Sequence, residues 1–547
     1  MTTSVRRPAS WILVSAIALL AALLAAAPAA PAAVKAPAWA SCGNDVPDVQ
    51  CADVAVPLDY DRPDGATIDL HVARVPASDQ ANKLGVLFFN PGGPGGPAGG
   101  YLEAFGRDLF PRLNERYDLV AFDPRGTGAS QGAIDCRANQ ETEGIYSQPF
   151  LTPENLDVGA LLRKTRGYVK RCVSNNRPDL MSHFSTANAA RDMDALRGAL
   201  GEQRLNYLGF SYGTFIGATY ATLFPRNYDR FVLDGPLDAD QYINDPSQGL
   251  REQTSGFERA LGRFLSACAA NQDACSGFGG SDPWMAFDTL IDKANATPLP
   301  ATGNTADPRP VDGDDVINAA IGELYARQLW GELAYALALA EDGDGSAIRA
   351  LSNDSYGRQD DGSYDPGVDR YFVLGAVEQR YGTDVRAYLR DGNRSWGQFD
   401  HFYFNAGYAE LNYGLWTIHD RDAFYGPFEV RAGARTPLVV ANTYDPATPY
   451  NGARRLVRDL GNARLLKVRA DGHTAYGRSG PCADAAIEAY LLGGTLPAAG
   501  SVCDAVQPFT RFTPTPVPQL RSEPLQRPLV PTEGRAQRHD LPARLGR

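Results

Sequence analysis

The chain has 547 residues, 44% of them hydrophobic and 21% charged, with a formal net charge of −12. This is globular composition with length enough for a large core, which in α/β enzymes is often one core plus a cap. No basic block interrupts the acidic balance, which excludes a nucleic-acid partner, since phosphate binding needs a concentrated cationic face.

The start, MTTSVRRPASWILVSAIALLAALLAAAPAAPAA, has the three parts of a secretory signal over residues 1–33. Arg6 and Arg7 form a short basic region, Trp11 to Ala27 an apolar run, and Ala-Pro-Ala repeats supply small-residue cleavage sites. An uncleaved membrane anchor is the competing reading, because the run is nearly long enough to span. Its alanines make it only mildly apolar and cleavage sites follow at once, so no stable membrane span is expected after signal removal. The Arg6-Arg7 pair hints at twin-arginine export.

Cys51 to Arg74 alternates apolar and polar residues around Pro-Asp-Gly, the pattern of a β-ribbon. LGVLFFN is a buried strand running into PGGPGGPAGG, and YDLVAFDPRGTGAS a second strand ending in a turn. TANAARDMDALRGALG has helical spacing, RLNYLGF is a strand, SYGTFIGATYATLF a helix and YDRFVLDGP another strand. Apolar strands alternating with helices predict a mostly parallel sheet covered on both faces. Residues 42–236 form the first part of this core. From 237 to 428 helical stretches with acidic, glycine-rich joins predict a helical cap insertion. Strand patterns resume in RTPLVVANTYDPATPY and ARLLKVRADGHTAYG, giving a second core part over 429–507. Residues 508–547, rich in proline and arginine, are expected to be an exposed or disordered tail rather than an ordered wrap on the body.

Eight cysteines in an exported chain suggest four disulfides. Proximity pairs Cys42 with Cys51, Cys136 with Cys172, Cys268 with Cys275, and Cys482 with Cys503, although connectivity does not follow from sequence. A zinc site is the rival use. With no CxxC pair and scattered histidines, no metal is expected.

Within this framework LNYLGFSYGTFIG delivers Ser211 to a tight strand-to-helix turn, where Gly209 and Gly213 leave room for a strained backbone. A serine hydroxyl needs a base to become a nucleophile. KVRADGHTAYG places His473 in a turn after the last strand, and LVVANTYDPATP places Asp445 beyond the strand before it. The order Ser, Asp, His is that of an α/β-hydrolase triad: the carboxylate holds the imidazole in its useful tautomer and stabilises the imidazolium. The tetrahedral intermediate needs backbone donors. One comes from the residue after the serine, Tyr212, and the other from the glycine loop after LGVLFFN, which lacks the lysine and spacing of a phosphate loop.

NPGGPGG, DPRGTGAS, GFSYGT, FVLDGPLD, ANTYDPATP and DGHTAYG together resemble the tripeptidyl and prolyl aminopeptidase family of α/β-hydrolases. The likeness spans roughly Cys42 to Cys503 and is closest to secreted actinobacterial members with a TAP-like C-terminal region. Where a histidine usually precedes the loop glycines, this chain has Pro91. The resemblance implies that Gly93 and Tyr212 give the oxyanion amides. It also implies release of short units, tripeptides among them, from peptides with a free N-terminus, with no cofactor. Gripping the substrate ammonium calls for an acid. Glu378 and Glu410 are the leading candidates, with Asp400, Asp234 and Asp238 behind them. The triad does not choose between amide and ester, so an esterase or lipase of the same fold is the alternative.

Overall fold

The structure is a computed structural model describing residues 34–43, 46 and 48–514. The predicted signal and most of the predicted tail lie outside the described residues. A ten-stranded sheet runs through the molecule. β1 (Ala40–Ser41), β2 (Gln50–Pro57) and β3 (Thr67–Val75) pair antiparallel, and β3 pairs antiparallel with β5 (Tyr117–Phe122). From β5 onward every pairing is parallel, through β4 (Gly85–Asn90), β6 (Leu205–Phe210), β7 (Tyr228–Asp234), β8 (Leu438–Tyr444), β9 (Arg464–Asp471) and β10 (Val502–Asp504). The order across the sheet is β1-β2-β3-β5-β4-β6-β7-β8-β9-β10.

Burial explains the two sequence styles. Every residue of β5 and β6 is buried, as helices on both faces demand, whereas β2 alternates buried and exposed positions because one of its faces meets water. The helix Tyr212–Leu223 is buried over nearly its whole length. It approaches β7 so closely that a Cβ on Gly217 would lie 2.5 Å from Leu233 Cδ2. The DPRG turn braces the fold. Its Arg125, fully buried, makes a bidentate pair with Asp192 at 2.6 and 2.7 Å and donates to the carbonyls of Pro57 and Leu58. It thereby ties the end of β2 to the helix Thr186–Ala199.

Between β7 and β8 the chain is helical. Pro246–Ala270, Pro283–Ala296, Gly313–Leu324, Trp330–Glu341 and Ser346–Tyr356 enclose an apolar cluster of their own around Phe264, Phe287, Ile317, Trp330 and Leu337. Farther on, Phe372, Trp416 and Phe428 join the cluster that holds Tyr207 and Phe215 under the sheet, so the later part of the insertion packs into the core itself. The acidic joins are helix caps. Asp238, Asp245, Asp282, Asp312 and Asp384 each accept a backbone N–H of the helix that follows. Each such cap contributes about 1 kcal/mol.

All four disulfides join sequence neighbours, Cys42–Cys51, Cys136–Cys172, Cys268–Cys275 and Cys482–Cys503. At the start of the tail, where Pro508, Thr510, Arg511 and Thr513 are exposed, two aromatic residues turn inward. Phe509 meets the rings of Trp330 and Phe264 at 6.2 and 6.4 Å, and Phe512 meets Tyr335 at 5.6 Å. Both rings are half-buried against the inserted helices.

Candidate active site

Ser211 follows β6 and caps the helix Tyr212–Leu223 with φ 53°, a left-handed conformation that few non-glycine residues adopt. Two glycines make that turn possible. A Cβ on Gly213 would lie 2.8 Å from the Asn90 carbonyl, and one on Gly92 would lie 2.8 Å from Ser211 Cβ. The glycine loop therefore lies directly against the elbow, held by the Gly92 N–H donating to Asn90 Oδ1 at 3.0 Å. Gly93 and Ser211 both line a cavity of about 260 Å³.

His473 and Asp445 meet deep in the protein, each almost fully buried. Nδ1 of His473 lies 3.0 and 2.9 Å from the two Asp445 oxygens. Asp445 Oδ1 also accepts the N–H groups of Ala447 and Thr448, and Oδ2 accepts the Thr448 hydroxyl at 3.0 Å. A carboxylate held by several donors is fixed in place, which is what orienting an imidazole requires. Nε2 of His473 is buried and makes no hydrogen bond among the described residues, so the nitrogen that a serine proton would reach is uncommitted.

One residue links the two halves. The Asp234 carbonyl accepts the Ser211 N–H at 3.0 Å, while its carboxylate accepts the N–H groups of Ala475 and Tyr476 just past His473. Complete burial raises its pKa to about 6. Gly235 follows, and a Cβ there would lie 2.9 Å from Thr474 Cγ2 and 3.1 Å from His473 Cε1. Sequence reasoning offers Asp234 as an amine anchor; it is instead spent on backbone. Its signal is an acid closing an apolar strand. Thr448 and Tyr325, which hold Asp445 and the His473 turn, are not singled out by sequence reasoning, Thr448 lying within ANTYDPATP and Tyr325 having no motif of its own.

The other acids expected to bind the amine have partners in the structure or lie outside the cavity. Glu378 is not at the cavity wall: fully buried behind the elbow, it accepts the Thr186 N–H and hydroxyl, each at 2.7 Å. Glu410 is also buried away from the wall, accepts the Ser247 hydroxyl at 2.5 Å, and is pushed up to about 7 by burial. Asp400 is exposed and outside the cavity. Asp238 does line it, but is paired with Arg455, which also holds Glu252 at 2.6 Å. Much of the remaining wall is aromatic, with Tyr242, Phe257, Tyr325 and Tyr371 contributed by the insertion.

Residues 85–285 match the α/β-hydrolase fold family and residues 420–503 the TAP-like protein family. Serine protease Hip1 of Mycobacterium tuberculosis is 34% identical over 491 residues, covering 85% of this chain and 90% of that protein. The chain belongs to the TAP-like α/β-hydrolases. Other members include carboxylesterase B of the same organism, 32% identical over 85% of this chain and 89% of its own length. Tripeptidyl aminopeptidase of Streptomyces lividans is 29% identical, over 85% and 86%. Among the described residues no helix is long and apolar enough to cross a membrane.

Proposed function

We propose that this family member is an exported serine exopeptidase that releases tripeptides or similarly short units from the free N-terminus of peptides. The observation that carries the reading is the position of Ser211 at the wall of a cavity roofed by the inserted helices. Such a pocket suits the end of a chain and not its middle. Peptidase names among the relatives, the four disulfides and the signal-like start support the same reading. His473 takes the Ser211 proton as Oγ attacks the scissile carbonyl, and the amides of Gly93 and Tyr212 receive the oxyanion. The imidazolium then protonates the leaving amine. Water, deprotonated by the same histidine, hydrolyses the acyl-enzyme and restores Ser211.

A second reading, carboxylic ester hydrolysis, is favoured by the pairing of Asp238 and Glu252 with Arg455, which spends two cavity carboxylates that an ammonium would use. Digestion of one labelled peptide with free and with acetylated N-terminus, beside short-chain esters, decides between them. The exopeptidase reading expects short N-terminal fragments from the free peptide only. Equal cleavage of both peptides, or of esters alone, overturns it. Ser211→Ala is expected to lower turnover by about 10³-fold or more, and undiminished turnover would sink the mechanism.

A further inference from the structure

Glu378 is a buried carboxyl group near the elbow that the mechanism does not use. Its Oε2 accepts the Thr186 N–H, its Oε1 bonds the Thr186 hydroxyl, and that hydroxyl lies 2.5 Å from the phenol oxygen of Tyr212. All three residues are buried. The chain of contacts thus runs from an acid in the insertion, through the first residue of the helix Thr186–Ala199, to the residue that follows the nucleophile.

We propose that Glu378 is a positioning residue for the oxyanion hole, fixing the Tyr212 side chain through Thr186 and so holding the Ser211–Tyr212 peptide with its N–H aimed at the reacting carbonyl. Tyr212 is the first residue of its helix, so its amide belongs to the free N-terminal turn and no preceding helical turn restrains it. Its ring is restrained by Thr186 at the hydroxyl and by the tilted rings of Phe215 and Tyr242 at 6.1 and 5.9 Å. Removing the hydroxyl anchor frees the ring, and with it the peptide that the ring steadies.

The acid must also be neutral to serve. The groups facing it are Thr186, the phenols of Tyr212, Tyr242 and Tyr425, and the carboxylate of Asp420, with Arg380 against Tyr425. No cation pairs with it directly among the described residues, and burial pushes its pKa up to about 8. Below that pH the carboxyl group is neutral, and its hydrogen bonds with Thr186 bring no charge toward Tyr212. Above it a negative charge sits against Thr186, next to the Tyr212 phenol.

The inference rests on Ser211 as nucleophile but not on peptide specificity, so p-nitrophenyl acetate and a tripeptidyl p-nitroanilide are assayed in parallel on the full chain. Activity is expressed per active site titrated with a fluorophosphonate. Glu378→Leu is expected to lower kcat about tenfold on the ester with KM held, Tyr212→Phe to do the same, and the double variant to be no worse than either. The wild type is expected to lose kcat as pH rises through about 8, and Glu378→Gln, a neutral donor of the same shape, to restore kcat and abolish that decline. An unchanged kcat per titrated site in Glu378→Leu, additive losses, or an alkaline decline that persists in Glu378→Gln each overturn the proposal. If the leucine variant does not fold, the pH profile of the glutamine variant decides alone. Ester turnover without anilide turnover refutes the exopeptidase reading and leaves this test standing.

Discussion

The backbone N–H of His473 donates to the carbonyl of Tyr325 at 2.7 Å, and the two rings meet edge to face at 5.8 Å. Tyr325 closes an inserted helix, so the proposed general base is held by the same segment that roofs the cavity. Nearby, Arg327 donates to Asp471 at 2.6 Å and Arg263 pairs with the same carboxylate. Gly472, with φ 88°, sits so that a Cβ would lie 3.1 Å from the Tyr325 carbonyl. Gly472→Ala is therefore expected to push the His473 turn off Tyr325. Strain of about 1–3 kcal/mol in this conformation should appear as a kcat loss of roughly tenfold or more. Steady-state kinetics beside thermal melting checks this, and a melting change without a kinetic one would contradict it.

Thr448 offers a finer test of the acid. Its hydroxyl reaches Asp445 Oδ2 at 3.0 Å and His473 Nδ1 at 3.2 Å. Thr448→Val keeps the shape and removes a charge-assisted bond of about 1.5–3 kcal/mol, so kcat should fall on the order of 10–100-fold. Thr448→Ser should retain most activity. Equal losses in both variants would assign the effect to packing.

Glu378 makes stability depend on pH. Its ordinary value of 4.5 is raised to about 8 in the folded protein. Between those values the unfolded chain gives up the proton while the folded chain keeps it. The folded state then binds more protons, and stability falls as pH rises across that window. Glu378→Gln removes the effect, so its melting temperature should exceed the wild type's by most at pH 8 and by least near pH 5. A constant difference across this range would show that the carboxyl group does not stay neutral in the fold.

The disulfides should contribute unequally. Cys136–Cys172 closes a sequence separation of 36 and Cys268–Cys275 one of 7. Loop-closure entropy then gives about 4 and about 2 kcal/mol. Paired Cys→Ala variants followed by denaturant unfolding should rank them in that order; the reverse ranking would place the stabilisation in native contacts.

The fold, and the meeting of the candidate site residues, are legible where local pattern and burial coincide. Apolar runs became the central strands, and Ser211, Asp445 and His473 follow strands β6, β8 and β9 because that end of a parallel sheet collects turns. What could not be read is what three-dimensional proximity alone decides. Glu378 and Glu410 carry no local mark that separates an acid at a cavity wall from one behind it. Thr186 gains its place only when its helix packs on the elbow, and β10, three residues long, pairs with β9 through a loop sequence with little strand pattern. Phe509 and Phe512 were hidden by the prolines and arginines around them.

The pairing of Val232 in β7 with Leu438 in β8 spans the entire insertion, and it bears on how the molecule assembles. Ser211 and its elbow can form early, from neighbours in the first part of the chain. Asp445 and His473 can join them only after the inserted helices have collapsed and brought β8 home, a long-range closure that is slow for entropic reasons. During refolding, helical signal should return first and fluorophosphonate reactivity last. A nascent or partly folded copy would therefore carry an exposed serine with no base beside it, a built-in delay before the molecule can cut anything, including itself.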